Sequence, residues 1–213
     1  MAKKKTAKTQ VEKAPKEKEK KETKGQMRRQ QILDVAKQVL IDEGVSSLVL
    51  RDVADKIGIT HGNLQYYFPT KDDLLVAIFD QEVEKYTDSM QVAVAATSTK
   101  RGRLDAIIDS GVAELKAPET ALWRIMMSLA SHNSEMAALL KKENDLYEVV
   151  LTEQLKLISP HLSDQRHRHM ARIIHAILDG LGIQYSYDDA DSAEMKALTA
   201  EIKEALFTVL EAS

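Results

Sequence analysis

From Arg28 onward, apolar residues return at helical intervals. Ile32, Leu33, Val35, Ala36, Val39 and Leu40 lie three, four, seven and eight positions apart, and Gly44 ends the run. The spacing predicts a first helix from about Arg28 to the residue before Gly44. Val53, Ala54 and Ile57 share one face of a short second helix, about Arg51 to Ile57. Gly58, Ile59 and Thr60 follow. The Thr60 hydroxyl is placed to cap a third helix, His61 to Tyr67, which Pro69 limits.

Further helices are expected from Lys71 to about Ala96 and, after the basic run Lys100 to Arg103, from Leu104 to Leu115. Pro118 suits the first turn of a helix reaching about His132. Ser134 is the expected cap of a long helix to Ile158, with Pro160 breaking the chain after it. Ser163 caps one through about Gly182, and Asp191 or Ser192 starts the last, which ends near Leu210. About nine helices and no convincing strand make this an all-α fold.

Composition agrees. Eight Gly and four Pro in 213 residues leave long stretches without a breaker. There is no Cys, so neither a disulfide framework nor a thiolate metal site is expected. No apolar run approaches the roughly 18 residues that would cross a bilayer. The basic N-terminus has no apolar core behind it, so a cytoplasmic protein without membrane contact is expected.

Charge changes the picture. The net charge of -3 hides a basic end on an acidic body: residues 1–29 hold twelve Lys/Arg against four Glu, and the rest holds 18 basic against 29 acidic residues. In residues 1–25 the only apolar residues are Met1, three Ala, Val11 and Pro15. Such a segment cannot offset its chain entropy, so a disordered basic tail is expected there, either merely solvated or an arm that adds contacts to a polyanion.

The stretch Leu50 to Lys71, LRDVADKIGITHGNLQYYFPTK, supplies the polyanion's identity. Small Ala54 lets two helices approach, Gly58 permits a left-handed turn, and Ile57 and Ile59 anchor it. This is the layout of a helix-turn-helix, whose second helix enters the major groove of DNA. His61, Asn63 and Gln65 offer hydrogen bonds to base edges or phosphates. Gly62 allows close approach, while Tyr66 and Tyr67 offer rings and hydroxyls. Lys71 starts the next helix, where phosphate also meets backbone N–H groups, and Arg51 opens the second helix toward a base or a phosphate.

From about Gln31 to Leu75 the chain resembles the N-terminal domain of the TetR family of bacterial regulators. The resemblance rests on Ile32, Leu33, Ala36, Gly44, Arg51 to Ala54, Gly58, Ile59, Gly62 to Phe68, and Lys71 to Leu75. It implies an all-helical homodimer with a DNA-binding domain at residues 26–72 and a variable ligand-binding and dimerisation domain at 73–213. It further implies a repressor released from a palindromic, double-stranded DNA operator by a small-molecule effector. Arg51, Thr60, His61, Asn63, Gln65, Tyr66, Tyr67 and Lys71 match family DNA-contacting positions. Two residues depart from the family. Gln65 replaces a frequent Tyr and suggests an altered contact. Val49 replaces a hydroxyl-bearing cap of the second helix, and Ser47 is left to cap from further back.

Beyond Ala77 no catalytic motif occurs, so an enzyme is not expected, and neither is a cofactor. A transcriptional activator, a ligand-independent regulator and, more remotely, a helical enzyme are the alternatives. His161, His167, His169 and His175 invite a metal reading, but His167 and His169 diverge on a helix and no acidic pair stands at ligand spacing. Ile173, Ile174, Ile177, Leu178 and Leu181 form one apolar stripe; Leu198, Ile202, Ala205, Leu206, Val209 and Leu210 form another. Two helices from each subunit would build a four-helix dimer interface. Ala176 to Gly182, AILDGLG, is similar to the C-terminal domain of BetI-type members. Trp123, Met126, Met127, Leu129, His132 and Tyr147 combine apolar bulk with a few polar tips, as ligand pockets do, and His175 and Asp179 add polarity.

Overall fold

The computed structural model describes residues 23–185 and 191–212. Among them stand nine α-helices: α1 (Lys24–Glu43), α2 (Leu50–Lys56), α3 (His61–Tyr67), α4 (Lys71–Ala95), α5 (Lys100–Glu114), α6 (Thr120–Ala130), α7 (Ser134–Ile158), α8 (Asp164–Gln184) and α9 (Ala193–Glu211). A 3-10 turn, Val45–Ser47, joins α1 to α2. The all-α reading holds for the described residues. The expected tail lies outside them, except that its last three residues already belong to α1 and its cap.

Several boundaries move, each because of a cap. α1 starts before Arg28 because Thr23 and Gln26 form a reciprocal capping box. α5 starts at Lys100, not Leu104, because the Thr99 hydroxyl accepts from the Gly102 N–H. Asn133, not Ser134, caps α7, its side-chain oxygen accepting from Glu135 and Met136. Pro118 lies in the turn before α6 instead of its first turn. Ser163 and Ser192 cap α8 and α9 as expected.

Two apolar cores share one lever. The first gathers α1, α2 and α3 around Ile32, Leu33, Ala36, Val53 and Leu64, and extends to Leu122 and Met126 of α6. The second lies in the body, around Ile107, Ile108, Leu151, Leu155, Ile174 and Leu210. Helix α4 belongs to both: Leu74, Leu75, Ile78 and Phe79 sit in the first, and Met90 and Val94 in the second. Its 25 residues span about 37 Å at about 1.5 Å per residue. The N-terminal unit α1–α3 (the reading head) and the α5–α9 body therefore meet through α4, and through the contact of α1 with α6.

Glycine matters at two points. Gly58 turns the chain between α2 and α3 at φ 69°, which a side chain would strain. Gly111 lets α5 meet α8 so closely that an added Cβ would lie 2.5 Å from a Leu178 methyl carbon.

Candidate DNA-reading helix and internal cavity

Helix α3 is held from one side only. Leu64 is fully buried, and at about 100° per residue this turns Gly62 and Tyr66 to the opposite face. Tyr66 is 81% exposed. Asn63 and Gln65 flank that ridge, one on each side, and both are exposed, as is His61. The Thr60 hydroxyl oxygen accepts from the Asn63 N–H at 3.2 Å, so the cap expected from the sequence is formed. Tyr67 is half-buried and meets Tyr66 edge-on at 5.2 Å. Phe68 is buried under the Arg29 guanidinium, 5.1 Å from the ring centre. Arg51 is exposed at the start of α2.

Two details differ from expectation. Lys71 donates its ammonium to the Val45 carbonyl and is half-buried, which braces the 3-10 turn against α4. Beside it, Thr70 and Asp73 form a capping box that already uses two N–H groups at this helix start. Ser47 does not cap α2: its hydroxyl donates to the Glu43 carbonyl. Val49 occupies the cap position with no side-chain hydrogen bond.

A cavity of about 170 Å³ lies between α4, α5, α6, α7 and α8. Phe79, Tyr86, Trp123 and Tyr147 supply its aromatic surface. Its charged lining is acidic: Glu82, Glu114, Glu119, Glu143 and Asp179, against His175 as the one basic residue. Of the eight residues expected from the sequence, Trp123, Met126, Tyr147, His175 and Asp179 line it, and Leu129 is half-buried off it. Met127 lies off it, half-buried, and His132 is exposed beyond the end of α6.

The lining is tightly organised. The Tyr86 and Tyr147 hydroxyls are hydrogen-bonded at 3.0 Å, and the Tyr147 ring meets His175 edge-on at 4.6 Å. His175 Nε2 stands 3.5 Å from Asp179 Oδ2. Burial raises the Glu114 carboxyl above its usual range, with Lys85 opposing. It also raises Glu143, assisted by a hydrogen bond with Asp80, and Asp179, opposed by His175. Burial pushes the Tyr86 phenol up to about 12.

At the rim, Glu82 and Glu119 share two ammonium groups. Lys37 of α1 lies 2.9 Å from Glu82 and 3.7 Å from Glu119. Lys85 of α4 lies 3.9 Å and 3.5 Å from the same pair. The sequence reading missed Glu82 and Glu143. Their signal is a carboxylate standing in register with an apolar stripe: Phe79, Glu82, Val83 and Tyr86 on α4, and Leu139, Glu143 and Tyr147 on α7.

The expected interface stripes divide. Ile173 is 43% exposed and Ile177, Leu198 and Ile202 are half-buried. Ile174, Leu181 and Leu206 are buried in the chain's own core, because they face α5 and α7. Among the described residues no group of three His, Asp or Glu is placed to hold a metal, and no helix is long and apolar enough to cross a membrane.

His167 lies in that core too. Its Nε2–H donates to the Ser159 carbonyl at 2.9 Å, and its Nδ1 and the Ser159 hydroxyl are buried without a hydrogen-bond partner.

Known proteins agree with this architecture. Residues 32–78 match the bacterial regulatory proteins of the tetR family, and residues 100–208 match the C-terminal region of BetI-type transcriptional repressors. The HTH-type transcriptional regulator BetI of Rhizobium meliloti is 30% identical over 77% of this chain and 80% of its own. A transcriptional regulator from Pseudomonas aeruginosa PAO1 superposes with a TM-score of 0.76 at 17% identity, over 90% of this chain and 93% of its own. A regulator from Saccharomonospora viridis, solved in complex with choline, superposes with a TM-score of 0.68 at 19% identity, over 87% and 96%. The chain therefore belongs to the TetR family of bacterial transcriptional regulators, as a DNA-binding member with a BetI-type C-terminal region.

Proposed function

We propose that this regulator is a repressor that binds an inverted-repeat operator as a two-fold homodimer and leaves it when a compact organic cation fills the internal cavity. The observation that carries the effector class is the lining of that cavity, five carboxylates and four aromatic rings around one histidine. Rings over a cation are worth about 0.5–2 kcal/mol each, and ionised carboxylates add direct attraction. Size narrows the class. A cavity of about 170 Å³ resembles one of roughly 150 Å³ that holds a benzene-sized molecule. A small quaternary ammonium fits that space. The choline bound to the Saccharomonospora viridis relative supports choline or a close analogue as the first compound to try.

In this reading Asn63, Gln65 and His61 address base edges. Arg51, Thr60, Tyr66 and Tyr67 contact phosphates, and Lys71 offers a phosphate one of its remaining ammonium hydrogens. Gly62 lets the helix sit close. The exposed Ile173 and half-buried Ile177 of α8, with Leu198 and Ile202 of α9, contribute to the interface between subunits. The protein works in the cytoplasm, where its operator is, and its acidic residues serve binding instead of catalysis. Selection of binding sites from random duplexes with the full-length protein tests the reading. An enriched inverted repeat, with half-sites about 34 Å or a multiple of that apart, is the expected outcome. Enrichment of isolated half-sites, or none, contradicts it.

The basic tail joins as a phosphate-binding arm. Residues 1–22 carry nine lysines, and removing them leaves the Thr23 cap of α1 intact. The deletion is expected to flatten the dependence of operator affinity on salt, by about 0.9 in the logarithmic slope for each phosphate that the tail neutralises. The preferred sequence should stay the same. Anisotropy titrations at several salt concentrations measure this, and an unchanged slope removes the tail from the DNA complex.

A further inference from the structure

The rim of the cavity holds an ammonium group that belongs to the reading head. Lys37 lies on α1, whose Ile32, Leu33 and Ala36 form the core under the recognition helix. Its side chain reaches Glu82 of α4 and Glu119 at the start of α6, and so ties α1 to both. Both glutamates line the cavity, while Lys37 itself does not. A further polar link between α1 and α4 is an amide pair, in which Gln30 and Gln81 donate to each other at 3.2 and 2.8 Å.

We propose that Lys37 is a tethered competitor for the effector: a cation entering the cavity takes Glu82 and Glu119 from it and so unclamps α1 from α4 and α6. The clamp rests on the cavity being the effector site. Charge balance supports it. Two carboxylates already neutralise the Lys37 and Lys85 ammoniums, and Glu82 and Glu119 are 15% and 25% exposed at their side chains. A further cation at that rim competes with both ammoniums for the pair, and would leave Asp34 as the carboxylate still acting on Lys37 and Glu114 as the one acting on Lys85. Lys85 is 63% exposed and simply turns into water. Lys37 is 23% exposed, and it can move away from the rim only if α1 moves or its stem swings out. The apolar contact of α1 with Leu122 and Met126 persists, and the Gln30–Gln81 pair acts as a pivot. The head thus stays attached while its angle is released. Linkage makes the effect reciprocal: DNA that holds the clamped angle keeps Lys37 in place and weakens cation binding by the same factor.

The two lysines separate the clamp from simple charge competition. The experiment uses the full-length protein, choline chloride as the probe and the selected operator. Choline affinity is read by calorimetry, and operator affinity by anisotropy with and without choline. In the unmodified protein choline is expected to weaken operator binding by about 5- to 150-fold. Lys37→Met and Lys85→Met should both bind choline several-fold more tightly, because each removes a competing ammonium. Only Lys37→Met should lose the effect of choline on the operator, and Lys37→Arg should restore it. If Lys37→Met keeps the full choline effect, or Lys85→Met loses it equally, the clamp is overturned while the cavity reading stands. If choline and tetramethylammonium bind none of the proteins, the cavity reading falls and the clamp with it.

Discussion

Replacing Asn63 and Gln65 together with Ala is expected to cost about 2–6 kcal/mol of operator affinity and to leave binding to unrelated DNA almost unchanged. The figure follows from two well-made base contacts, each worth about 1–3 kcal/mol of discrimination. The geometry makes them independent. The two side chains stand on opposite flanks of the Gly62–Tyr66 ridge, which in the proposed complex would set them against different base pairs. Losses at separate positions then add. Folding is untouched, because both residues are exposed and the Thr60 cap binds the Asn63 backbone, which alanine keeps. Anisotropy on the selected operator and on a scrambled duplex, at one salt concentration, gives the comparison. Equal losses on both duplexes would mean that the pair touches phosphates only.

Acidification should weaken choline binding, and its direction follows from the cavity carboxyls. Burial raises Glu114, Glu143 and Asp179 above their ordinary range. A bound cation favours the ionised forms and lowers those values again. Affinity is therefore greatest above the raised values and falls as pH drops through them. Stability of the empty protein has the opposite sense. A carboxyl whose folded value lies above its unfolded one destabilises the fold at neutral pH, and that penalty shrinks as pH falls toward the unfolded value.

Asp179→Asn separates these effects. It should reduce choline affinity by about 2 kcal/mol or more, as loss of a buried charge partner does. It should also make the empty protein slightly more stable at pH 8, because no buried charge remains there to be desolvated. Melting curves with and without choline at pH 5.5 and pH 8 report both. A choline-induced shift in Tm that is as large at pH 5.5 as at pH 8 would show that these carboxyls do not hold the cation.

Much of this fold is legible in the sequence because its helices are amphipathic and their breaks carry recognisable residues. The apolar intervals around Ile32 to Leu40, the Gly58 turn and the Thr60 cap give the reading head almost residue by residue. The errors fall where a hydroxyl or amide outside the apolar pattern sets a boundary, as Thr23, Thr99 and Asn133 do. Lys71 shows a second limit: charge and position suggest a phosphate, but only the folded chain brings the Val45 carbonyl to it. The cavity is half legible. Trp123, Met126 and Tyr147 stand out by type, whereas Glu82 and Glu143 read as solvent-facing acids until the surrounding helices close around them. The stripes on α8 and α9 point to an interface, yet Ile174 and Leu206 are consumed by the protomer's own core. Periodicity marks an apolar face without naming what covers it.

In this mechanism, occupancy of the acidic, aromatic cavity controls DNA binding by the reading head. The most direct measurement is the affinity of the full-length protein for its selected inverted repeat, by anisotropy at fixed salt and pH 8, as choline is added. A saturable loss of about 5- to 150-fold is predicted, displaced to about thirtyfold higher choline in Asp179→Asn. An operator affinity that stays constant while calorimetry shows choline bound would contradict it.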